Sequence, residues 1–129
     1  MAAPIIYLDR SDIRPGRLDD ARRAFDELSA FVDANEPHLL SYAVYLSEDG
    51  TRASVLHVHP DEASLRRHMG VIQPRLAPFA ELLQLREIEV FGEIGPELAE
   101  ELNAKLRLLG TDGLLVRHPH AGFLRPPGA

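Results

Sequence analysis

The sequence has 129 residues, of which 45% are hydrophobic and 26% are charged, an ordinary composition for a single globular domain. A net charge of −6 argues against nucleic acid or an anionic membrane as a partner, because both are bound through a basic surface. The absence of cysteine excludes disulfide bonds, thiol nucleophiles and thiolate-bound metal clusters. No apolar run approaches the ~20 residues of a membrane-spanning helix and no signal peptide is recognisable, so we expect a cytoplasmic protein.

The first third of the chain predicts a strand followed by a long helix. Residues 4–9 are rich in β-branched and aromatic side chains, which is typical of a strand. Pro15 and Gly16 then interrupt the chain. Over residues 17–35 apolar side chains recur every three or four positions, as on one face of a helix, and Pro37 ends that helix. The apolar positions are Leu18, Ala21, Phe25, Leu28 and Val32.

A hairpin, a second helix and a further strand are predicted next. Two strand-like segments, 39–46 and 52–59, flank an Asp-Gly pair, which is a strong hairpin signal. A helix begins near Pro60, and one or two further turns over 75–83 lead to a strand at 85–91. Simple alternation along that strand sets Leu85, Glu87 and Glu89 on one face and Arg86, Ile88 and Val90 on the other.

The C-terminal part, residues 93–129, predicts one more helix at 96–109, a turn at 110–113 and a short strand at 114–117. The final PPGA is expected to fray. The helix carries four leucines on one stripe, which needs a partner surface. We therefore expect a single domain, with a core over residues 1–92 and this extension.

The element order β-α-β-β-α-β predicts an α+β, ferredoxin-like fold, in which both helices cover one face of an antiparallel sheet. The segment 39–46 is apolar or aromatic on both faces, whereas a solvated sheet face would alternate apolar with charged residues. We therefore expect a homodimer in which two sheets pack face to face, with the C-terminal extension reinforcing it. The alternative is a monomer whose C-terminal helix folds back over the open face.

Three short motifs resemble the antibiotic-biosynthesis-monooxygenase-like superfamily of dimeric α+β barrels. Residues 13–16 (IRPG) match its V-x-P-G entry to the first helix, and residues 36–42 (EPHLLSY) resemble its E-P-G-C-L-x-Y segment. Residues 55–68 resemble its third strand and second helix, and the resemblance spans roughly residues 4–92. It implies the ferredoxin-like fold and activities such as cofactor-free oxygenation of quinols and polyketides, or heme degradation.

The chain also departs from that pattern. The family's strand glutamate falls on His57 and its aromatic residue on His59, whereas Asp61, Ala63 and His68 keep the pattern. The heme-degrading subgroup relies on an Asn, Trp and His set that this tryptophan-free chain lacks.

His57, His59 and His68 are the candidate catalytic residues. Side chains two apart on a strand share a face, so the first two imidazoles lie side by side on a central strand, with His68 on the following helix. An imidazole titrates near neutral pH and can abstract the proton of a phenol or quinol, leaving an oxidisable anion. Structural hydrogen bonding of buried histidines is the alternative.

A metal site is a further alternative, in which the three imidazoles and Asp61 or Glu62 are the ligands. The sequence has no motif of fixed metal geometry, so we predict neither a metal nor a cofactor. The candidate substrate-binding residues are aromatic, and a small apolar or aromatic molecule between the helices and the sheet would suit them. They are Tyr7, Tyr42, Tyr45 and Phe79, while Phe25, Phe31 and Phe91 are expected to line the same space.

Two functions follow from these residues. The first is a cofactor-independent monooxygenase, or an isomerase, acting on a small phenolic or quinol compound. The second is a non-catalytic ligand-binding or interaction protein on the same dimeric barrel. A deep cavity that reaches His57 would favour the enzyme, and a filled interior would favour the binding protein.

Overall fold

The computed structural model describes residues 3–111 and 113–125, which form five strands, three α-helices and two 3-10 turns. The elements are β1 Ile5–Ile13, α1 Leu18–Asn35, β2 Ser41–Leu46, β3 Arg52–His59, α2 Glu62–Ile72, the 3-10 turns Gln73–Arg75 and Ala77–Glu81, β4 Leu83–Phe91, α3 Pro96–Leu109 and β5 Leu114–Arg117. The predicted order is confirmed. Residue 112 of the predicted turn at 110–113 lies outside the described residues. Residues 126–129, which are predicted to fray, also lie outside them.

One five-stranded sheet has the strand order β2-β3-β1-β4-β5. The pairs β2–β3, β3–β1 and β1–β4 are antiparallel, which is the ferredoxin-like arrangement predicted from the sequence. β5 extends the sheet in parallel to β4, because α3 forms the crossover that parallel neighbours require. None of the helices in the described part of the chain is long and apolar enough to cross a membrane.

The core lies between the sheet and the helices. Alternate residues of β1 and β3 face the helices and are buried, whereas their neighbours face the other side of the sheet. In α1 the predicted apolar stripe is the buried one, apart from the partly buried Leu18 at its first turn. The sheet's open face holds the remaining strand side chains, and none of the helices within residues 3–111 and 113–125 covers it.

A β-bulge corrects the simple alternation predicted for β4. The pairing of β1 with β4 shifts between Arg10, which faces Glu87, and Ser11, which faces Leu85. The extra residue returns Leu85 to the face of Ile88 and Val90, and all three side chains are at most 2% exposed. Period-two counting was wrong here because it cannot include an inserted residue.

The leucine stripe of α3 packs inside the chain. Leu98, Leu102 and Leu106 are fully buried, and α3 packs against β4 on the helix-covered side of the sheet. The stripe is therefore not a surface that reinforces a dimer. The alternative of a helix folded over the open face is also wrong.

The open face of the sheet keeps an exposed apolar surface. Tyr45, Phe91 and Ile6 are 58%, 38% and 36% exposed, and Leu8 and Val58 are partly buried beside them. Phe91 thus lies on the open face, contrary to the prediction that it lines the interior. The same face carries ion pairs between strands, of Arg10 with Glu87 and Glu89 and of Arg117 with Glu89.

Candidate functional site

The three histidines predicted to be catalytic come together on the helix-covered face of the sheet. His57 and His59 project from β3, and His68 from α2 lies on the same side as the buried Leu65 and Ile72. The ring centroid of His57 lies 4.4 Å from that of His68 and 4.8 Å from that of His59. All three are at most 1% exposed. Strand alternation alone does not determine which face of the sheet carries the histidines, and the structure shows that it is the helix-covered face.

Two of these histidines form a hydrogen-bonded chain. His57 Nδ1 lies 2.6 Å from His59 Nε2, and His59 Nδ1 lies 2.7 Å from the hydroxyl of Ser64. Asp61, the N-cap of α2, accepts the backbone N–H of Ser64 at 2.9 Å and so fixes the first turn of that helix. A neutral imidazole has one N–H and one acceptor nitrogen, so this chain is compatible with two tautomeric arrangements, which run the hydrogen bonds in opposite directions.

Burial keeps His57 and His59 neutral. Burial lowers the pKa of His57 well below its ordinary value, and the neighbouring His68, His59 and Lys105 lower it further. Burial and His68 lower the pKa of His59 to about 4. Both imidazoles are therefore uncharged at neutral pH.

His68 is paired with a buried carboxylate that the sequence did not reveal. Its Nδ1 lies 2.7 Å from Glu36 Oε2, and the two side chains are 1% and 3% exposed. Since a carboxylate accepts, Nδ1 is the nitrogen that donates to Glu36, the orientation used in histidine–carboxylate catalytic pairs. From the sequence Glu36 was only the residue that precedes the helix-ending Pro37.

A second polar cluster joins the first strand to the last helix. The hydroxyl of Tyr7 donates to Asp9 at 2.6 Å, and Lys105 Nζ lies 2.7 Å from that hydroxyl and 3.4 Å from Asp9. Burial and the Asp9 charge raise the pKa of Tyr7 well above its ordinary value, so its hydroxyl stays protonated. Lys105 is the only lysine in the sequence, which is a signal that could have singled it out.

The aromatic residues divide between the two faces of the sheet. Tyr7 stacks on His57 with ring centroids 4.0 Å apart, and Tyr42 stacks on the same ring at 5.5 Å, because Tyr7 and Tyr42 are its direct cross-strand neighbours. Burial and the charges of Asp9 and Glu36 raise the pKa of Tyr42. Phe79 packs against Phe25 in the interior. Tyr45 is not brought to this site, because it is three positions after Tyr42 on β2 and therefore points to the open face.

A small cavity, here called the inner cavity, lies between these groups. Its volume of about 40 Å³ has room for two or three water molecules and not for an aromatic ring. Polar groups of β1, β2, β3, α2 and α3 line one end, and apolar side chains of the helices and β4 line the other. The polar lining is Asp9, Ser11, Tyr42, His57, His68 and Lys105.

The Nε2 atoms of His57 and His68 have no hydrogen-bond partner within the described part of the chain. Every fully buried side-chain nitrogen or oxygen among those residues has a hydrogen-bond partner, so these two Nε2 atoms are not fully enclosed. The inner cavity is the space that both residues line. No group of three or more His, Asp or Glu side chains in residues 3–111 and 113–125 is arranged around a possible metal ion. The arrangement presents two acceptor-capable ring nitrogens to one small space, beside a protonated tyrosine and an ammonium.

Comparison with solved structures places this chain among proteins of the same fold. MupZ from Pseudomonas fluorescens matches with a TM-score of 0.72 and 20% identity, over 98% of both chains. SnoaB, a cofactor-independent oxygenase from Streptomyces nogalater, matches with a TM-score of 0.60 and 18% identity, over 73% of this chain and 96% of its own. A provisionally assigned antibiotic biosynthesis monooxygenase from Caulobacter crescentus gives 0.65 and 21%, over 73% of this chain and 92% of its own.

No family model and no curated protein matches the sequence. The structural matches confirm the resemblance to antibiotic-biosynthesis-monooxygenase-like proteins at the level of the fold. The match to MupZ includes α3 and β5, since it spans nearly the whole chain, and hence the element that carries Lys105.

Proposed function

We propose that this chain is an enzyme that deprotonates a small phenolic or quinol compound and passes the resulting anion to molecular oxygen without a cofactor. The single observation that carries the proposal is the convergence of His57 and His68 Nε2 on one cavity, with His68 held by the buried Glu36. The fold shared with a cofactor-independent oxygenase supports the reaction class. An isomerase would use the same proton abstraction and no oxygen.

His68 is the best-placed base. The carboxylate of Glu36 fixes its tautomer and stabilises the imidazolium that forms when it accepts a proton. His57, neutral and linked through His59 to Ser64, is the second acceptor and the inner end of a proton relay toward the start of α2. The Lys105 ammonium, which lines the inner cavity, is a donor for an anionic substrate oxygen.

The reaction balances without an external reductant. A quinol with a free ring C–H loses a proton to the base, and the anion transfers electrons to O2. One oxygen atom bonds to the ring carbon, and the other leaves as water with two hydrogens from the substrate, so the product is the hydroxyquinone. The quinol supplies all four electrons that the reduction of O2 requires.

The small volume of the inner cavity favours a second candidate function, a non-catalytic ligand-binding or interaction protein. Oxygen uptake by the metal-free protein with 1,4-naphthohydroquinone and hydroquinone tests between the two. We expect one O2 consumed per hydroxyquinone formed, and a loss of at least tenfold in His68→Ala and in His57→Ala. The exposed His38→Ala is the matched control. No uptake above the autoxidation rate of either quinol would overturn the enzyme in favour of the binding protein.

We also propose that two copies pair through the open face of the sheet. The exposed Ile6 and Phe91 are cross-strand partners, and Tyr45 lies on the same face, which none of the helices described in residues 3–125 covers. Exposed apolar surface of this kind marks contact surfaces. The ion pairs of Arg10 and Arg117 on the same face leave both signs of charge available for pairing across a twofold axis.

A further inference from the structure

A second pocket adjoins the inner cavity between α2 and α3. Leu76 and Lys105 line both spaces, so these two side chains are the wall between them. This outer pocket has a volume of about 260 Å³, several times that of the inner cavity. It meets the polar cluster of Lys105, Tyr7 and Asp9 at Lys105.

The outer pocket is mainly apolar. Met69, Leu76, Ala104 and Leu108 line it, and Leu108 is 46% exposed, unlike the buried leucines of the same helix. Its charged groups are Arg66, which pairs with Glu62 at 2.8 Å, Glu101, and Lys105 itself. Such a lining suits an apolar chain that ends at one polar group.

An exposed glycine lines this pocket. Gly70 lies within α2, where glycine costs roughly 0.5–1 kcal/mol relative to alanine, and it lines the outer pocket. A Cβ added at Gly70 would meet nothing within 4 Å. Packing therefore does not explain the glycine, whereas a ligand lying along α2 would use the space.

We propose that the outer pocket is a substrate subsite, which holds the apolar part of an elongated phenolic molecule whose oxygen lies at Lys105. This rests on the proposed function for the reacting end, because the phenolic oxygen must meet the inner cavity at Leu76 and Lys105 to approach His57 and His68. The substrate class is thus an alkyl-substituted or fused-ring phenol or quinol rather than a compact one.

Binding of phenol and of 4-hexylphenol, measured by calorimetry, tests the subsite. Each methylene placed in an apolar site tightens binding by roughly three- to fourfold, so we expect 4-hexylphenol to bind at least a hundredfold more tightly. Gly70→Leu fills the pocket and should weaken 4-hexylphenol at least tenfold while leaving phenol within twofold. Ala63→Leu, exposed on the same helix and outside the pocket, is the matched control and should change neither.

A local probe identifies where the chain binds. The sequence has only two methionines, and Met69 lines the outer pocket, so methyl-13C-methionine labelling reports on it directly. We expect 4-hexylphenol to shift the Met69 signal and phenol to leave it unchanged. An unshifted Met69 signal with bound 4-hexylphenol, or unaltered affinity in Gly70→Leu, would overturn the subsite. A shifted Met69 without any oxygen uptake from alkylated quinols would support the subsite and contradict only the oxygenase reaction.

Discussion

Lys105 donates a hydrogen bond to the hydroxyl of Tyr7 at 2.7 Å and so ties the last helix to the first strand across 98 positions of sequence. The tyrosine in turn donates to Asp9, which makes a buried cluster of one cation, one anion and one neutral hydroxyl. Because all three residues are at most 8% exposed, the cluster is stable only while each polar group keeps its partner. The C-terminal extension is therefore part of the site and not an appendage.

Removing the cation from this cluster should destabilise the fold. Lys105→Met leaves the Asp9 carboxyl buried without its ammonium, and we expect a loss of roughly 3 kcal/mol in the free energy of unfolding. Arg107→Met, which breaks the exposed pair with Glu100 on the same helix, should cost less than about 0.5 kcal/mol. Urea unfolding measures both.

The double variant Asp9→Asn, Lys105→Met separates a pair effect from lost packing. If the buried charge causes the loss, the double variant is less destabilised than the sum of the two single variants. Additive losses would contradict the pairing.

The buried carboxylate behind His68 should act on turnover and not on binding. Glu36→Gln keeps the size of the side chain and one acceptor oxygen, but it cannot stabilise the imidazolium. We expect kcat for a quinol to fall about a hundredfold with KM within threefold. Glu27→Gln, exposed on α1, is the control. A fall in kcat that is accompanied by a large fall in the melting temperature would instead indicate a purely structural role for Glu36.

Acid should unfold this protein through its buried histidines. The pKa of His59 is lowered to about 4 in the folded state, whereas an unfolded histidine titrates near 6.5. Between these values the unfolded chain binds the extra proton, so the stability contributed by neutral His59 is complete above about pH 6.5 and is lost as the pH falls toward 4. The loss amounts to roughly 3 kcal/mol, and His57 adds a loss of the same sign.

Chemical unfolding at pH 7, 6, 5 and 4.5 checks this slope. His59→Gln should flatten it, and the exposed His38→Gln should leave it unchanged. A slope that is equal in all three proteins would show that His59 is not buried and neutral.

Local sequence signals predicted the fold because its elements are locally encoded. The Asp-Gly pair at 49–50, the helix-ending Pro37 and the 3.6-residue periodicity each act within a few residues, and they gave the element order correctly. The bulge that returns Leu85 to the buried face depends on pairing with β1, which no pattern within β4 encodes.

The candidate site was predicted in part for the same reason. His57 and His59 are two apart on one strand, and His68 follows on the next helix, so sequence spacing was sufficient to group them. Glu36 and Lys105 reach the site only through tertiary packing, from positions 32 residues before His68 and 98 residues after Tyr7. A single buried lysine and a glutamate preceding a proline carry no periodic signal that would have joined them to the histidines.

The glycine that lines the outer pocket should be replaceable with a gain in stability. Gly70→Ala adds a methyl group where nothing lies within 4 Å and lowers the entropy of the unfolded chain, so we expect a gain of about 0.5–1 kcal/mol. Gly110→Ala is the opposite case, because its Cβ would lie 1.8 Å from the backbone oxygen of Leu85. We expect it to lose at least about 2 kcal/mol. Loss of stability in Gly70→Ala would show that the space beside α2 is filled.

The open face of the sheet should govern the oligomeric state. Ile6 and Val58 are direct cross-strand partners on this face, so a charge at either position would lie within the proposed contact. We expect light scattering to give twice the 14.3 kDa of one chain for the natural sequence and a single chain for Val58→Glu, because an unpaired carboxylate is costly to bury between two sheets. Ala63→Glu, exposed on α2, should remain dimeric. A mass of 14.3 kDa for the natural sequence at working concentration would refute the face-to-face dimer, and a dimeric Val58→Glu would move the contact to another surface.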